Sequence, residues 1–315
     1  MDNTEDMRTT YTNTLIELAA VDERIVILEA DLMYASSTTA FKARFPERTF
    51  NIGVAEANMA GVAAGLSSTG KIPFATSFGS FAGRKTYDQF FISANYARLN
   101  VKLVGLDPGV TAAYNGGTHM AMEDGGIMRN IPGLTVFEPS DNASLRILLG
   151  QCARQYGCAY MRLHRKGHSC IHAADAPLEL GKGVVLRDGD DITLIATGFL
   201  MVPEAMKAAA LLAERGISAA VIDMHTVKPI DRALIAQYAL KTGAIVTCEN
   251  HQVINFLGSA VAEVLAEEQP IPMARIGIQD EFGEVGDLAY LVKRFHLGAA
   301  DIAETAHSVL KRKQQ

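Results

Sequence analysis

At 315 residues the chain predicts about two domains. Its 49% hydrophobic and 20% charged residues mark an ordinary globular composition with apolar material for two cores. A formal net charge of −6 argues against nucleic-acid binding, which a basic patch usually announces, and no apolar run is long enough to span a membrane. The opening Met1-Asp2-Asn3-Thr4-Glu5-Asp6 is acidic and polar, unlike a signal peptide, so a cytoplasmic location is expected.

A helical pattern at 9–20 comes first. Strand patterns at 24–30, 49–52, 72–75, 101–105, 134–138 and 159–163 then alternate with helical ones at 39–45, 57–66, 85–97 and 142–156. Such alternation predicts a parallel sheet with helices on both faces. Ligands of such sheets sit beyond the carboxyl ends of strands, where Glu56, Phe78, Asp107 and Arg165 all fall. After a linker-like stretch the rhythm restarts, with strands at 192–198, 219–223, 244–248 and 273–277. Helices follow at 202–215, 231–241, 258–267, 287–295 and 303–311. The expected fold class is α/β with two doubly wound domains, at 1–172 and 188–315, joined by a linker at 173–187.

Glu56 lies between a short apolar strand and a helix rich in Ala, Gly and Met. Carboxylates rarely enter such ground unless paired or working. One reading is an acid that trades a proton with a flat nitrogen heterocycle, with Phe78 and Phe81 as an aromatic shelf. The other is a salt-bridged carboxylate favoured by a helix N-terminus. The helix itself reads equally as core or as part of an interface.

The stretch from Asp107 to His119 is a long, glycine-rich loop, and long loops in compact domains are usually functional. His119 at its end suits general acid or base work near neutral pH, or a capping role beside Thr118. Arg165-Lys166 offers anion-binding donors, against solvated surface charge as the plainer reading. His164, His168 and His172 would share one face of a helix, but Gly167 interrupts them and a strand pattern precedes them, so no metal site is expected. The four cysteines form no Cys-x-x-Cys pair, and buried thiols are the default. No dinucleotide fingerprint, phosphate-binding P-loop, zinc-protease or nucleophile-elbow motif is present.

Ile52-Gly53-Val54-Ala55-Glu56, Pro73-Phe74-Ala75-Thr76-Ser77-Phe78, Gly116-Gly117-Thr118-His119 and Ile131-Pro132-Gly133-Leu134-Thr135-Val136 occur in that order. Together they resemble the pyrimidine-binding domain of transketolases. Val221-Ile222-Asp223-Met224-His225-Thr226-Val227-Lys228-Pro229-Ile230-Asp231 resembles the transketolase C-terminal domain. The resemblance covers nearly the whole chain. It implies thiamine diphosphate as cofactor and transfer of a two-carbon ketol unit from a ketose phosphate to an aldose phosphate. Glu56 matches the acid that shares a proton with the aminopyrimidine ring, and Phe78 and Phe81 match its aromatic wall. Asp31 and Leu32 match a segment that reaches the thiazolium across a dimer interface. His119 matches a histidine beside the reacting centre. Arg8 and Arg165 match phosphate-binding arginines, suited to bidentate contacts, and Ser36 or Ser37 would add a hydroxyl. Arg84 and Arg146 resemble acceptor-side arginines of deoxyxylulose-phosphate synthases.

Three departures from the family pattern carry expectations. Leu106 stands where many transketolases have histidine, and Asn115 where many have an aspartate that reads the donor's C2 hydroxyl. Leu106 donates no hydrogen bond and Asn115 both donates and accepts, which points to an unusual donor, branched or modified. The Gly-Asp-Gly motif that holds the diphosphate and Mg²⁺ is absent, since Asp188-Gly189-Asp190-Asp191 differs from it and falls in the wrong domain. The resemblance thus implies the C-terminal subunit of a split transketolase. An N-terminal partner would supply the diphosphate site and the Mg²⁺ ligands, in an assembly of two copies of each chain. The alternatives are the beta subunit of a 2-oxo-acid dehydrogenase and a non-catalytic paralogue that binds a partner or a sugar phosphate.

Overall fold

The structure, a computed structural model, describes residues 5–313; most of the acidic start, residues 1–4, lies outside the described residues. The first unit opens with α1 (Met7–Val21), β1 (Ile25–Glu29), α2 (Met33–Ser36), α3 (Thr39–Arg44) and β2 (Thr49–Asn51). It continues with α4 (Glu56–Ser68), β3 (Ile72–Phe78), α5 (Gly79–Arg84), α6 (Tyr87–Gln89), β4 (Lys102–Leu106), α7 (Asp124–Arg129), β5 (Thr135–Phe137), α8 (Asn142–Arg154) and β6 (Ala159–Leu163). The second unit holds β7 (Val184–Arg187), β8 (Ile192–Ala196), α9 (Gly198–Ala213), β9 (Ala219–Asp223), β10 (Thr226–Lys228) and α10 (Arg232–Thr242). It ends with β11 (Ile245–Gln252), α11 (Leu257–Glu268), β12 (Met273–Ile278), α12 (Leu288–Arg294) and α13 (Ala299–Lys313).

Strands β1, β3, β4 and β6 are buried at every position, as parallel strands covered on both faces must be. Their registers bring Phe78, Leu106 and Leu163 to one row at the carboxyl ends. The apolar core divides into layers. One cluster packs Tyr11, Leu15, Leu145 and Leu148 of α1 and α8 on Ile27, Phe74 and Met161 of the first sheet. A second fills the far face of the other sheet with α9, α12 and α13. Between them a third cluster runs from α4 (Met59, Ala60, Ala63) through Leu103 and Tyr160 to α11 (Leu257, Ala260, Val261), so the two units share one apolar core.

The first sheet has the order β10-β5-β6-β4-β3-β1-β2, and the second β12-β11-β8-β9-β7. The expected two doubly wound units are present, with a difference at their border. Strand β10 comes from the second unit's sequence yet pairs antiparallel with β5 of the first. Strand β7 lies inside the stretch read as a linker and pairs antiparallel with β9. Both are three or four residues long, too short for alternation to register.

The helix expected at 85–97 is also redrawn. Helix α5 starts at the strand end, a single turn α6 follows, and Phe90–Tyr96 winds as π-helix. Gly79 permits the early start: a Cβ there would stand 2.9 Å from that of Ala121. Helix α7, with Gly125-Gly126 in its middle, gave no helical signal in sequence. Among the described residues no helix is long and apolar enough to cross a membrane.

Candidate active site

Glu56 opens α4 and is 2% exposed. The Ser77 hydroxyl donates to its Oε1 at 3.2 Å, and the Lys85 ammonium lies 3.5 Å from Oε2. The acid is thus both buried and ion-paired. Lys85 is half exposed, and its Nζ stands 4.4 Å above the Phe81 ring. Phe78 and Phe81 meet edge to face at 6.2 Å, and the His119 ring lies 5.5 Å from Phe78 and 5.1 Å from Phe81. Glu56, Ser77, Phe78, Phe81, Lys85 and His119 therefore form one cluster at the ends of β3 and β4. A buried carboxyl beside two rings set at right angles fits a flat, apolar-faced heterocycle with a basic nitrogen.

The loop to His119 is held rather than pliable. Gly109 through Ala112 are buried in a 3-10 turn. The Val110 N–H donates to Asn250 Oδ1 at 2.9 Å, and Asn250 Nδ2 donates to the Pro108 carbonyl at 2.8 Å. Gly109, at φ 57°, leaves no room for a side chain, since a Cβ would fall 2.2 Å from Asn250 Oδ1. Gly117 touches the second unit directly, with a Cβ position 2.2 Å from the Gly283 carbonyl oxygen. Gly117→Ala is expected to destabilise the protein by about 1–3 kcal/mol through this overpacking and to displace His119. Thermal unfolding and turnover should fall together; an unchanged melting temperature would show that the two backbones part freely. His119 Nδ1 lies 2.9 Å from the Thr118 hydroxyl, and Arg84 braces the same turn through the Thr118 carbonyl at 3.3 Å and Glu123 at 2.6 Å. Asn115 is exposed near the loop tip. Leu106 is fully buried in the cluster that contains Phe78, so it backs the ring rather than lining an opening.

Arg165 is buried, not solvated. Its Nε donates to Asp107 Oδ2 at 2.6 Å, its backbone N–H donates to Oδ1 at 3.0 Å, and its guanidinium lies 5.0 Å from the Phe78 ring centre. Its carbonyl accepts the backbone N–H of Arg8 at 3.0 Å. The Arg8 side chain donates to the Ala35 carbonyl at 3.2 Å and to Asp6 at 3.3 Å. Through Arg8 the site reaches a second group of residues around Asp31 and Leu32. Asp31, at φ 62°, exchanges hydrogen bonds with the Asn51 side chain at 3.0 and 2.9 Å. Among the described residues no hydrogen bond or ion pair joins Asp31 to the Glu56–His119 cluster, while Leu32 packs on the apolar cluster that holds Phe78.

Two residues expected to contact substrate lie apart from the ring cluster in the free chain. Ser36 is fully buried, and its hydroxyl donates to Glu29 at 2.8 Å, so within the chain it faces the core. Arg146 lies on the surface of α1 and α8 near Glu5 and Glu17, at 3.7 and 3.5 Å, apart from the ring cluster. His164 stacks on Phe199 at 3.9 Å and His172 pairs with Asp223 at 2.8 Å. Burial pushes His164 down to about 4, so it is neutral. Among the described residues no group of His, Cys, Asp or Glu could hold a metal ion.

Sequence reasoning missed Ser77, Lys85, Glu29 and the Asn250 clamp. Only a basic residue beside Arg84, and a carboxylate closing the apolar run Ile-Val-Ile-Leu, hinted at Lys85 and Glu29. A buried network behind the site was also missed. Arg162 Nε donates to Asp124 at 3.0 Å, its Nη1 pairs with Glu138, and its Nη2 donates to the Asn250 carbonyl at 3.0 Å.

The transketolase pyrimidine-binding-domain model matches residues 3–168, and the transketolase C-terminal-domain model matches residues 181–302. The 6-deoxy-6-sulfo-D-fructose transketolase subunit SqwH of Clostridium sp. (strain MSTE9) is 52% identical over 307 residues, covering 98% of this chain and 95% of that protein. A putative transketolase C-terminal section from Methanocaldococcus jannaschii is 41% identical over 309 residues, covering 97% and 96%. A solved structure described as a split gene transketolase, inactive beta4 tetramer, superposes with a TM-score of 0.90 at 42% identity, covering 98% of this chain and 99% of the other. With both domain models matched in order and these relatives aligned nearly end to end, the chain belongs to the thiamine diphosphate-dependent transketolase family.

Proposed function

We propose that this subunit provides the pyrimidine side of a two-carbon ketol transfer from a ketose to an aldose phosphate, and that a separate N-terminal subunit brings the diphosphate site and the Mg²⁺ ligands. The carrying observation is Glu56, buried within reach of the Phe78, Phe81 and His119 rings. Thiamine diphosphate, when bound, supplies the electron sink for breaking the carbon–carbon bond. Glu56 would hold or give a proton at its Oε atoms, facing the ring nitrogen of the aminopyrimidine. Phe78 and Phe81 would fix the plane of that ring and exclude water from it. His119, with Nδ1 engaged by Thr118, would present its other nitrogen to a substrate oxygen or proton. Arg8 and Arg165 lie close enough through their backbones to share one anionic group of a sugar, with Asp107 setting the Arg165 fork. Arg84 and Asn115 would contact the sugars further out, and Asp31 and Leu32 would serve a cofactor in the neighbouring copy's site.

A partner interface is supported by the open face of α4. Val54 is 75% exposed and Gly61 and Gly65 have nothing within 4 Å of a Cβ position, while Met59, Ala60 and Ala63 pack inward. Two copies of each chain would close the sites at such faces. The buried thiols Cys152, Cys158 and Cys248 suit a reducing compartment such as the cytoplasm.

We infer that the donor is a modified ketose, with 6-deoxy-6-sulfo-D-fructose as the first candidate. Supporting this are the substrate named for the 52% identical relative and Asn115, exposed near the loop tip where an aspartate would suit ordinary donors. The similarity to transketolase subunits favours sugar chemistry over a 2-oxo-acid dehydrogenase beta subunit. Near-UV circular dichroism with thiamine diphosphate and Mg²⁺ should give a signal with the partner present and none with this chain alone. A tight, metal-dependent signal from the single chain would sink the split reading. Turnover by the mixed enzyme is expected with the sulfonated ketose and weak with xylulose 5-phosphate; the reverse order would refute the donor assignment.

A further inference from the structure

Glu29 closes β1 and is fully buried. Its Oε1 accepts the Ser36 hydroxyl at 2.8 Å and the Thr38 hydroxyl at 2.7 Å, and these two hydroxyls lie 2.9 Å apart. Its backbone carbonyl accepts the N–H of Ile52 at 2.9 Å, just before Glu56. The turn that Ser36 and Thr38 anchor starts at Asp31 and Leu32, and its Ala35 carbonyl receives the Arg8 guanidinium. The Ser36 carbonyl accepts from Thr12 of α1 at 3.3 Å. Glu29 thus grips the turn through its side chain and the strand leading to Glu56 through its backbone, and that turn joins α1 through the Ser36 and Ala35 carbonyls.

No cation answers this carboxyl. Its Oε2 is buried without a hydrogen-bond partner, and among the described residues it forms no ion pair with Lys, Arg or His. The groups that face it are Tyr11 of α1, whose phenol burial and the nearby Glu29 both push up, Thr76 as register partner in β3, and Asn51 as register partner in β2. Arg8 is directed at Ala35 and Asp31 at Asn51. An isolated carboxylate in such surroundings is costly, so the neutral acid is the form that fits. Burial accordingly pushes Glu29 up to about 7, against the pull of the Thr38 and Ser36 hydroxyls.

We propose that Glu29 is a positioning residue for the transfer reaction: as a neutral acid gripped by Ser36 and Thr38, it fixes the turn that presents Asp31 and Leu32. The role of that turn rests on the proposed function; the positioning itself belongs to the free chain. A carboxyl whose folded pKa exceeds its unfolded value of 4.5 lends stability that is complete below the unfolded value and is lost as pH rises through about 7. The turn should therefore loosen between mildly acidic and mildly alkaline pH.

Amide hydrogen exchange over residues 31–38 of the full chain, corrected for intrinsic rates, tests this directly. Between about pH 6 and about pH 8.5 the wild type should lose protection in the turn about tenfold. Glu29→Gln, which keeps a neutral acceptor, should hold its protection at both pH values. Thr38→Val, which removes a donor, should lose protection at both. Equal pH dependence in wild type and Glu29→Gln would overturn the proposal, as would unchanged protection in Thr38→Val, which also serves if the glutamine variant fails to fold. With the partner added, the wild type's half-saturating thiamine diphosphate should rise over that range only in proportion to the fraction of chains whose turn is open, and the Glu29→Gln value should show no such rise. No cofactor signal with wild type would refute the proposed function and leave the exchange result to decide on Glu29.

Discussion

Replacing Glu56 by alanine is expected to lower kcat by about 10²–10⁴-fold, the usual worth of a positioned acid or base. The fold should survive the change. Lys85 is half exposed and can turn to solvent once its partner is gone, and the Ser77 hydroxyl loses one acceptor, a cost of about 1 kcal/mol. Melting temperature and partner association should therefore stay near wild type while turnover collapses. Wild-type turnover in this variant would remove Glu56 from the chemistry and return it to the role of an ion pair at a helix start. A non-catalytic binding subunit would show that pattern, because it would have nothing to lose.

Arg162→Met is expected to cause the largest loss of stability of any single change discussed. The guanidinium is fully buried among Asp124, Glu138 and the Ala121 and Asn250 carbonyls, with Phe256 4.9 Å from its centre. Burial raises Asp124, but the Arg162 charge outweighs it and holds that carboxyl below its usual value. Glu138 shares the same cation and is left raised by its burial. Methionine fills much of the volume but strands the Asp124 and Glu138 carboxyls in an apolar setting, with the Tyr160 hydroxyl, which donates to Asp124 at 2.7 Å, as the remaining side-chain donor to that acid. Removing one partner of a buried pair costs about 3–5 kcal/mol, which in a chain of this size lowers the melting temperature by about 10 °C. A fall of less than about 1 kcal/mol would show that water or local rearrangement already serves these acids.

The alternation of elements was legible because β1, β3, β4 and β6 are short apolar runs separated by longer stretches of helical composition. Glu56 and Phe78 stood out as chemistry-bearing residues just after such runs and His119 as the end of a long loop, and the structure brings them and Phe81 into one cluster. Lys85 was not, because its pairing with Glu56 spans 29 residues and the sequence shows only two adjacent surface basics. The loop before His119 read as pliable from its glycines, whereas the Asn250 amide, 140 residues from Val110, makes it rigid. Arg162 sits at one position of a strand pattern that gives no sign of the acids meeting it from α7 and β5. The bond from Ser36 to Glu29 was not legible, because a family match locates a hydroxyl along the chain but not the side of the turn on which it points. Local pattern thus revealed elements and residues near strand ends, and long-range pairing decided which of them act together.

The crossing of β10 into the first sheet bears on how the protein can be cut. A fragment ending in the linker would bare the outer edge of β5, a row of backbone donors and acceptors that another chain can pair with. It would also strip α11 from the shared apolar cluster, leaving α4's layer half covered. Such a fragment is better suited to aggregate than to serve as a stand-alone cofactor-binding module. The practical unit for expression, crystallisation or transplantation into another enzyme is therefore the two-domain chain.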